Sequence, residues 1–395
     1  MRASRNACGI ALGVMIAIGV FEAPASAQDE ADRARAIKLC LDHKDLEAVP
    51  LLEKLHARHP DDLDVKEHLA CCLASTAALL EGSAQAVVLV RARKMAMEVK
   101  AKRPVANLTT ILLDQIPEDG VLPEGQGSKA AKDAMKAGEL AFARRDFDKA
   151  RASYELALVF EPKLYTAAVF AGDTWFAQKK MPEAVSWFAK AAEIDPNHAV
   201  AYRYWGDALM AMGKQNEARE KFLLGIVAEP YAKAPWLSLD QWADANGVDI
   251  AHPRILPLDP PEGEARKVAT TDGTIHTLAY DATREAWKEA LFKQAFPDET
   301  EYRHTLREET EALRRVAAAV KADIDEGRLK QPDPVLANLV KIEADGLLEP
   351  CVLFTRADEG IAKDYDAYRE KSRDKLVKYL TKYVIGTAKK TPKGK

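Results

Sequence analysis

Cysteine is scarce in this 395-residue chain, with five in all. That is too few to staple a fold of this size with disulfides. A surplus of one charge is missing as well: 57 Lys and Arg face 61 Asp and Glu, for a net charge of −4. Nothing global therefore draws the chain to nucleic acid or to an anionic membrane. The one basic run is the tail Lys389, Lys390, Lys393 and Lys395, a short polar segment read as solvated. Catalytic motifs are also lacking. There is no Gly-rich phosphate loop, no G-x-S-x-G elbow, no C-x-x-C pair and no H-E-x-x-H helix. The acids between Asp358 and Asp366 lack the spacing of a calcium loop. No catalytic residue, cofactor or metal is assigned on these grounds, and the chain is read as a non-enzyme.

Long apolar runs are confined to the start. Arg2 and Arg5 precede an apolar stretch from Ala7 to Phe21, followed by Ala25-Ser26-Ala27 ahead of Gln28. A positive start, a short apolar run and a small-x-small site form a secretory signal pattern. The stretch is short for a membrane span, which needs about 20 residues. The expectation is a signal peptide over 1–27 and an exported protein, periplasmic or secreted, without a transmembrane segment after cleavage. Cys40, Cys71, Cys72 and Cys351 would remain. Cys40 with His43, and His68 with Cys71 and Cys72, have helical spacing. A zinc site there would lack the short finger loop. A disulfide from Cys40 to Cys71 or Cys72 and buried free thiols both stay open.

What is present is a period. Gly138, Gly172 and Gly206 recur at 34 residues. Ala150, Ala184 and Ala218 keep the same step, as do Tyr154, Phe188 and Phe222, and Pro162, Pro196 and Pro230. Each residue type has a physical task. Gly in a first helix and Ala in a second let two helices approach closely. The aromatic one turn after the Ala lies on the same face and fills the space between them. Pro cannot continue a helix and ends the second one. A single such pair cannot bury its apolar face, whereas stacked pairs can. Further upstream, Ala48 and Pro60 repeat the Ala–Pro spacing. Residues 63–104 read as a longer hairpin broken near Glu81-Gly82-Ser83.

This helix–turn–helix period resembles the tetratricopeptide repeat (TPR) family over residues 131–230, and more loosely over 29–104. Gly225 departs mildly from the small residue at Ala157 and Ala191, and Ala134, Ala137 and Ala141 replace bulkier residues in the first repeat. The resemblance implies an all-α superhelix whose first helices line a concave groove. On that face one side of each first helix carries Glu139 and Phe142, then Asp173 and Phe176, then Arg203, Asp207 and Met210. Acids recur at one register, with an apolar residue three positions on. Family grooves that clamp a C-terminal carboxylate carry Lys and Asn there, so a different partner is expected: a protein or peptide segment that is basic and partly apolar. The competing view is that these acids merely solvate the face.

The expected order is 28–104 irregular hairpins, 105–130 loop, 131–250 three repeats with a capping helix at Trp236–Ala245, and 251–264 a Pro-rich linker. A mainly helical region over 265–388 and the basic tail 389–395 follow. In the C-terminal region, Val268–Thr271 and Thr274–Tyr280 flank Asp272-Gly273 and predict a small β-hairpin. Helices are expected at about 282–294, 299–326, 334–345 and 360–384. His304 and Glu308 stand four apart, as metal ligands can, but the basic residues around them point to a solvated, ion-paired helix face. The functional reading is an exported interaction scaffold, with envelope assembly as a candidate role. The alternative is an enzyme of unknown type with its site in residues 265–395.

Overall fold

The computed structural model describes residues 27–42, 44–80, 82–104, 107–121, 127–255 and 274–388. The proposed signal peptide up to residue 26, His43, the Pro-rich stretch from 256, the strand expected at 268–271 and the basic tail fall outside them. The described chain is built of helical hairpins: α1 (Ala27–Leu41), α2 (Asp45–Arg58), α3 (Leu63–Thr76), α4 (Gly82–Lys102) and α5 (Asn107–Gln115) come first. The regular array follows as α6 (Lys129–Ala143), α7 (Phe147–Phe160), α8 (Tyr165–Ala177), α9 (Met181–Ile194), α10 (Ala199–Ala211) and α11 (Gln215–Ala228). Helix α12 (Lys233–Asn246) caps it. The stretch expected as a loop over 105–130 contains α5, whose apolar residues Leu112 and Ile116 at its end are buried.

The repeat residues do what their chemistry suggests. A Cβ placed on Gly138 would lie 2.3 Å from the Tyr154 ring; on Gly172 it would lie 2.5 Å from Phe188, and on Gly206 2.3 Å from Phe222. Only glycine leaves room for these rings. Ala150, Ala184 and Ala218 are fully buried beside them. At Gly225 a Cβ would make an ordinary 3.5 Å contact with Tyr202, so that departure from the pattern carries no steric demand. Each second helix ends two residues before its Pro. The turn between the helices of each pair needs a left-handed residue at one register, filled by Arg145 (φ 63°), Lys179 (φ 61°) and Gly213 (φ 75°). The three hairpins are TPR-type units. The Ala-rich first helix, α6, also packs against residues 77–79 of the N-terminal unit.

Beyond α12 lie α13 (Thr274–Ala286), α14 (Phe292–Ala295), α15 (Leu306–Asp325), α16 (Pro334–Ala344), α17 (Leu348–Thr355), α18 (Glu359–Ala362) and α19 (Tyr365–Tyr379). A wider π-type turn, Trp287–Leu291, joins α13 to α14. The expected strand Thr274–Tyr280 is helical instead. Tyr280, Thr283 and Trp287 are the buried positions, a spacing of three and four that belongs to a helix. Helix α17 was not anticipated. The described β structure is a two-stranded antiparallel pair, β1 (Val248–Ile250) with β2 (Ile385–Ala388), which ties the end of the array to the end of the chain.

These C-terminal helices have no core separate from the repeats. Phe222, Ile226 and Trp242 share one continuous apolar cluster with Leu313, Leu339, Leu353, Tyr365 and Tyr379. Helix α19 also satisfies carbonyls at the end of α11: the Tyr365 hydroxyl donates to Val227 O at 2.8 Å, and the Arg369 guanidinium to Ala228 O at 2.6 Å. A second cluster runs through repeats one to three, and a third holds α1–α5 together.

Candidate binding groove

The N-terminal unit lies against both ends of the repeat array. Residues 77–79 touch α6, and α5 touches α12. Between these contacts run the first helices α6, α8 and α10. Two cavities open where the unit faces them. One, of about 170 Å³, is lined by Ser75 and Ala78 on one side and by Glu139, Phe142, Ala143, Tyr154, Phe170 and Asp173 on the other. The second, of about 620 Å³, lies at the turn end, among Leu41, Asp42 and Lys44 and Arg145, Phe176, Lys179 and Met181. The Arg145 guanidinium donates to Asp42 O at 2.5 Å across this boundary. The concave face is therefore partly roofed by the chain's own first helices.

Glu139 and Asp173 line the smaller cavity, and desolvation acts on all three repeated acids. Burial raises the pKa of Glu139, with Lys136 pulling weakly the other way. Burial pushes Asp173 up to about 7. It pushes Asp207 up to about 6 against the opposing charge of Arg203. None of the three has an ion-pair or hydrogen-bond partner among the described residues. All three side chains are half-buried, and desolvation moves each of them in the same direction. Two phenols stand among them. Tyr154 is raised by burial and by Glu139 and Asp173. Tyr204 is pushed up to about 12 by burial, with Asp173 and Asp207 contributing. The groove thus presents carboxylates interleaved with phenols, beside the rings of Phe142, Phe170 and Phe176.

The other expected groove residues divide. Phe142 and Phe176 reach the cavities. Met210 is partly buried against the large shared core. Arg203 is buried, and its Nε donates to Ser238 Oγ at 3.3 Å, so it braces α10 against α12 instead of presenting a free cation. Phe170, Tyr204 and the N-terminal wall were not singled out from the sequence, and Tyr154 was read as an aromatic packed between helices, not as a groove residue. Tyr154 did have a signal, being the one hydroxylated member of the Tyr154–Phe188–Phe222 series. The wall had none, since it is brought in by a unit of different spacing.

The C-terminal acids behave in the opposite way. Glu308 and Glu309 are fully buried, not solvated. Arg284 Nε donates to Glu308 at 2.5 Å and its Nη1 to Glu309 at 3.2 Å. The Tyr280 hydroxyl donates to Glu309 at 2.7 Å, and Arg356 also pairs with it. Tyr302 donates to Glu308 at 2.8 Å. His304 precedes helix α15, and its ring bridges Glu309 at 3.1 Å and Asp358 at 2.8 Å, not Glu308. Burial alone would raise Glu309, but the bonds from His304 and Tyr280 and the charge of Arg356 bring it down to about 2. This cluster locks α13, α15 and the segment after α17 together. The acids near 358–366 are also in structural use: Asp358 caps α18, and Asp364 accepts from Leu306 N and Arg303.

No family model matches the chain, and no curated protein matches it in sequence. Solved structures do. The first TPR of Spaghetti (RPAP3), bound to the HSP90 peptide SRMEEVD, is 21% identical over 31% of this chain and 96% of its own, with a TM-score of 0.28. The Sgt2 TPR domain of Aspergillus fumigatus is 20% identical over 38% and 95%, with a TM-score of 0.29. The TPR2AB domain of yeast Sti1, in a pHSP90 complex, is 14% identical over 55% and 98%, with a TM-score of 0.28. The chain has a TPR-like fold in its repeat region. Among the described residues, no helix is long and apolar enough to cross a membrane.

Proposed function

We propose that this protein is an exported TPR scaffold whose roofed groove receives a basic, partly apolar segment of another protein. The observation that carries the reading is the row Glu139, Asp173 and Asp207. Three carboxylates without partners are held where burial disfavours their charge. A lysine or arginine side chain of a partner would supply the missing counter-charge and bring their pKa values down. Phe142, Phe170 and Phe176 would take its apolar stem. The larger cavity carries Lys44, Arg145 and Lys179 against Asp42, so the segment would bear an acidic or carboxylate group at the turn end. The TPR structures with HSP90 peptides support a peptide partner only by analogy of fold. Export rests on the N-terminal signal pattern, and a role in envelope assembly rests on export.

The enzyme alternative would place its site in 265–395. The polar cluster there neutralises itself with Arg284, Arg356 and His304, which favours a structural part. Because the repeats and the C-terminal helices share one core, separately expressed halves would not test the groove. The full chain should instead be crosslinked in its native envelope and compared with Asp173→Asn/Asp207→Asn. The expected result is a partner recovered with wild type and lost with the double variant, with capture weakening as salt is added. Equal capture by both proteins would reject the groove. Recovery in the cytoplasmic fraction with an intact Met1 would reject export.

A further inference from the structure

We propose that Cys40 and Cys72 form a disulfide that staples α1 to α3 and fixes one wall of the groove. The two Sγ atoms lie 2.6 Å apart. Cys71 is turned away by about 100° around the α3 axis, which decides between the two pairings left open by sequence. Asp45 lies close enough to complete a three-ligand metal set with them. The separation argues against that use. Two thiolates on one tetrahedral zinc, each about 2.3 Å from the ion, would stand about 3.8 Å apart. A disulfide needs about 2.05 Å, which is the shorter move. His68 is not among the ligand atoms gathered there, and its Nδ1 is 2.7 Å from its own helix's Asp64 O.

The consequence reaches the groove. Cys40 is the penultimate residue of α1, and the turn just after it supplies Leu41, Asp42 and Lys44 to the larger cavity. Helix α1 otherwise contributes Ala36 and Leu39 to the N-terminal core and partly exposed ion pairs such as Arg33–Asp62. A bond closing a 32-residue separation would hold it. Cys40 is half-buried and Cys72 buried. The accessible Cys40 thiolate would attack a disulfide oxidant such as oxidised glutathione, releasing one glutathione. Cys72 would then attack the Cys40 sulfur of the mixed disulfide and release the second. Two S–H bonds are lost and one S–S bond forms, while the oxidant is reduced to two thiols that take up the protons. The bond to Cys40, burial and nearby Asp45 raise the Cys72 thiol, so closure should accelerate with pH.

The test uses the purified full chain, oxidised with oxidised glutathione, digested without reduction and mapped by tandem mass spectrometry. The expected result is a link from Cys40 to Cys72, retained in C71S, absent in C40S and C72S, and accompanied by a rise in melting midpoint only where the link forms. A link to Cys71 would overturn the proposal. So would free Cys40 and Cys72 after oxidation. Stoichiometric zinc bound by the reduced protein, lost in both C40S and C72S and blocking oxidation, would replace it with a metal site. If either serine variant fails to fold, the wild-type and C71S fragment maps decide the pairing alone.

Discussion

Two sets of acids in this protein, Glu308 with Glu309 fully buried and Glu139 with Asp173 and Asp207 half-buried, differ in what surrounds them. Glu308 and Glu309 meet Arg284, Arg356, His304 and two tyrosine hydroxyls, and Glu309 is held down at about 2. Glu139 and Asp173 line the smaller cavity beside aromatic rings, Asp207 stands at the same register one repeat on, and Asp173 is pushed up to about 7. Burial is complete in the first set and partial in the second. The difference is whether the chain itself supplies the counter-charge. A carboxylate with its cations built in is structural cement, whereas one held without them destabilises the fold and is a site for something brought from outside. This is the physical reason to look for the partner in the groove and not in the C-terminal cluster.

The strongest way to break the comparison is Glu309→Leu. It takes one carboxylate partner from Arg284, Arg356 and His304 while Arg284 keeps Glu308 and His304 keeps Asp358, and should cost about 3–5 kcal/mol in denaturant unfolding. A loss below about 1 kcal/mol would mean that the cluster is peripheral. The same group sets an acid limit. Its folded pKa of about 2 lies below the ordinary 4.5, so its stabilisation is present above about pH 4.5 and is lost as pH falls towards 2.

Ala184→Leu comes next, at a cost of about 1–3 kcal/mol. Ala184 is fully buried in α9, and the added bulk should tilt α8, which carries Asp173. The midpoint of thermal unfolding measures the cost. An unchanged midpoint would show that the crossing of α8 and α9 is looser than its glycine and rings indicate.

Asp173→Asn should act in the opposite direction from Glu309→Leu. A folded pKa raised from 3.8 to about 7 means that folding favours the protonated acid. The penalty is absent below about pH 4, grows through the interval and is complete above about pH 7. The shift would be worth up to about 4 kcal/mol, but water reaching the cavity reduces the expected gain to about 1–2 kcal/mol. The variant should therefore be more stable than wild type at pH 8 and equal to it at pH 4. Lower stability at pH 8 would reveal an internal partner for Asp173. Asp207→Asn should give the same sign and a smaller gain, because Arg203 opposes the shift and holds it to about 6. Equal gains would show that Arg203 is spent on Ser238 alone.

Much of the repeat region was legible because its determinants are local. Gly138 meets Tyr154, and Gly172 meets Phe188, across a single turn, so one spacing rule describes each contact. The segment 274–280 misled for a related reason. Thr274-Ile275-His276-Thr277-Leu278 after Asp272-Gly273 suits a hairpin, and only Trp287, further along, completes the helical stripe. Helix α17 was hidden by Pro350, which stands in its first turn, where a missing N–H costs nothing. The row Glu139, Asp173 and Asp207 was visible as a register, but its partial burial was not.

The sequence by itself determined the helical hairpins, their number in the regular array, and which small and aromatic residues interlock, since these follow from propensity and from contacts within about one repeat. Only the tertiary structure decided which acids would find counter-charges within the chain. That depended on residues far apart in the chain: α5 reaching α12, Ser75 and Ala78 facing Asp173, and Arg356 arriving at Glu309. The desolvation and the counter-charge that set a carboxylate's state act through space, and a linear spacing of acids carries no record of either.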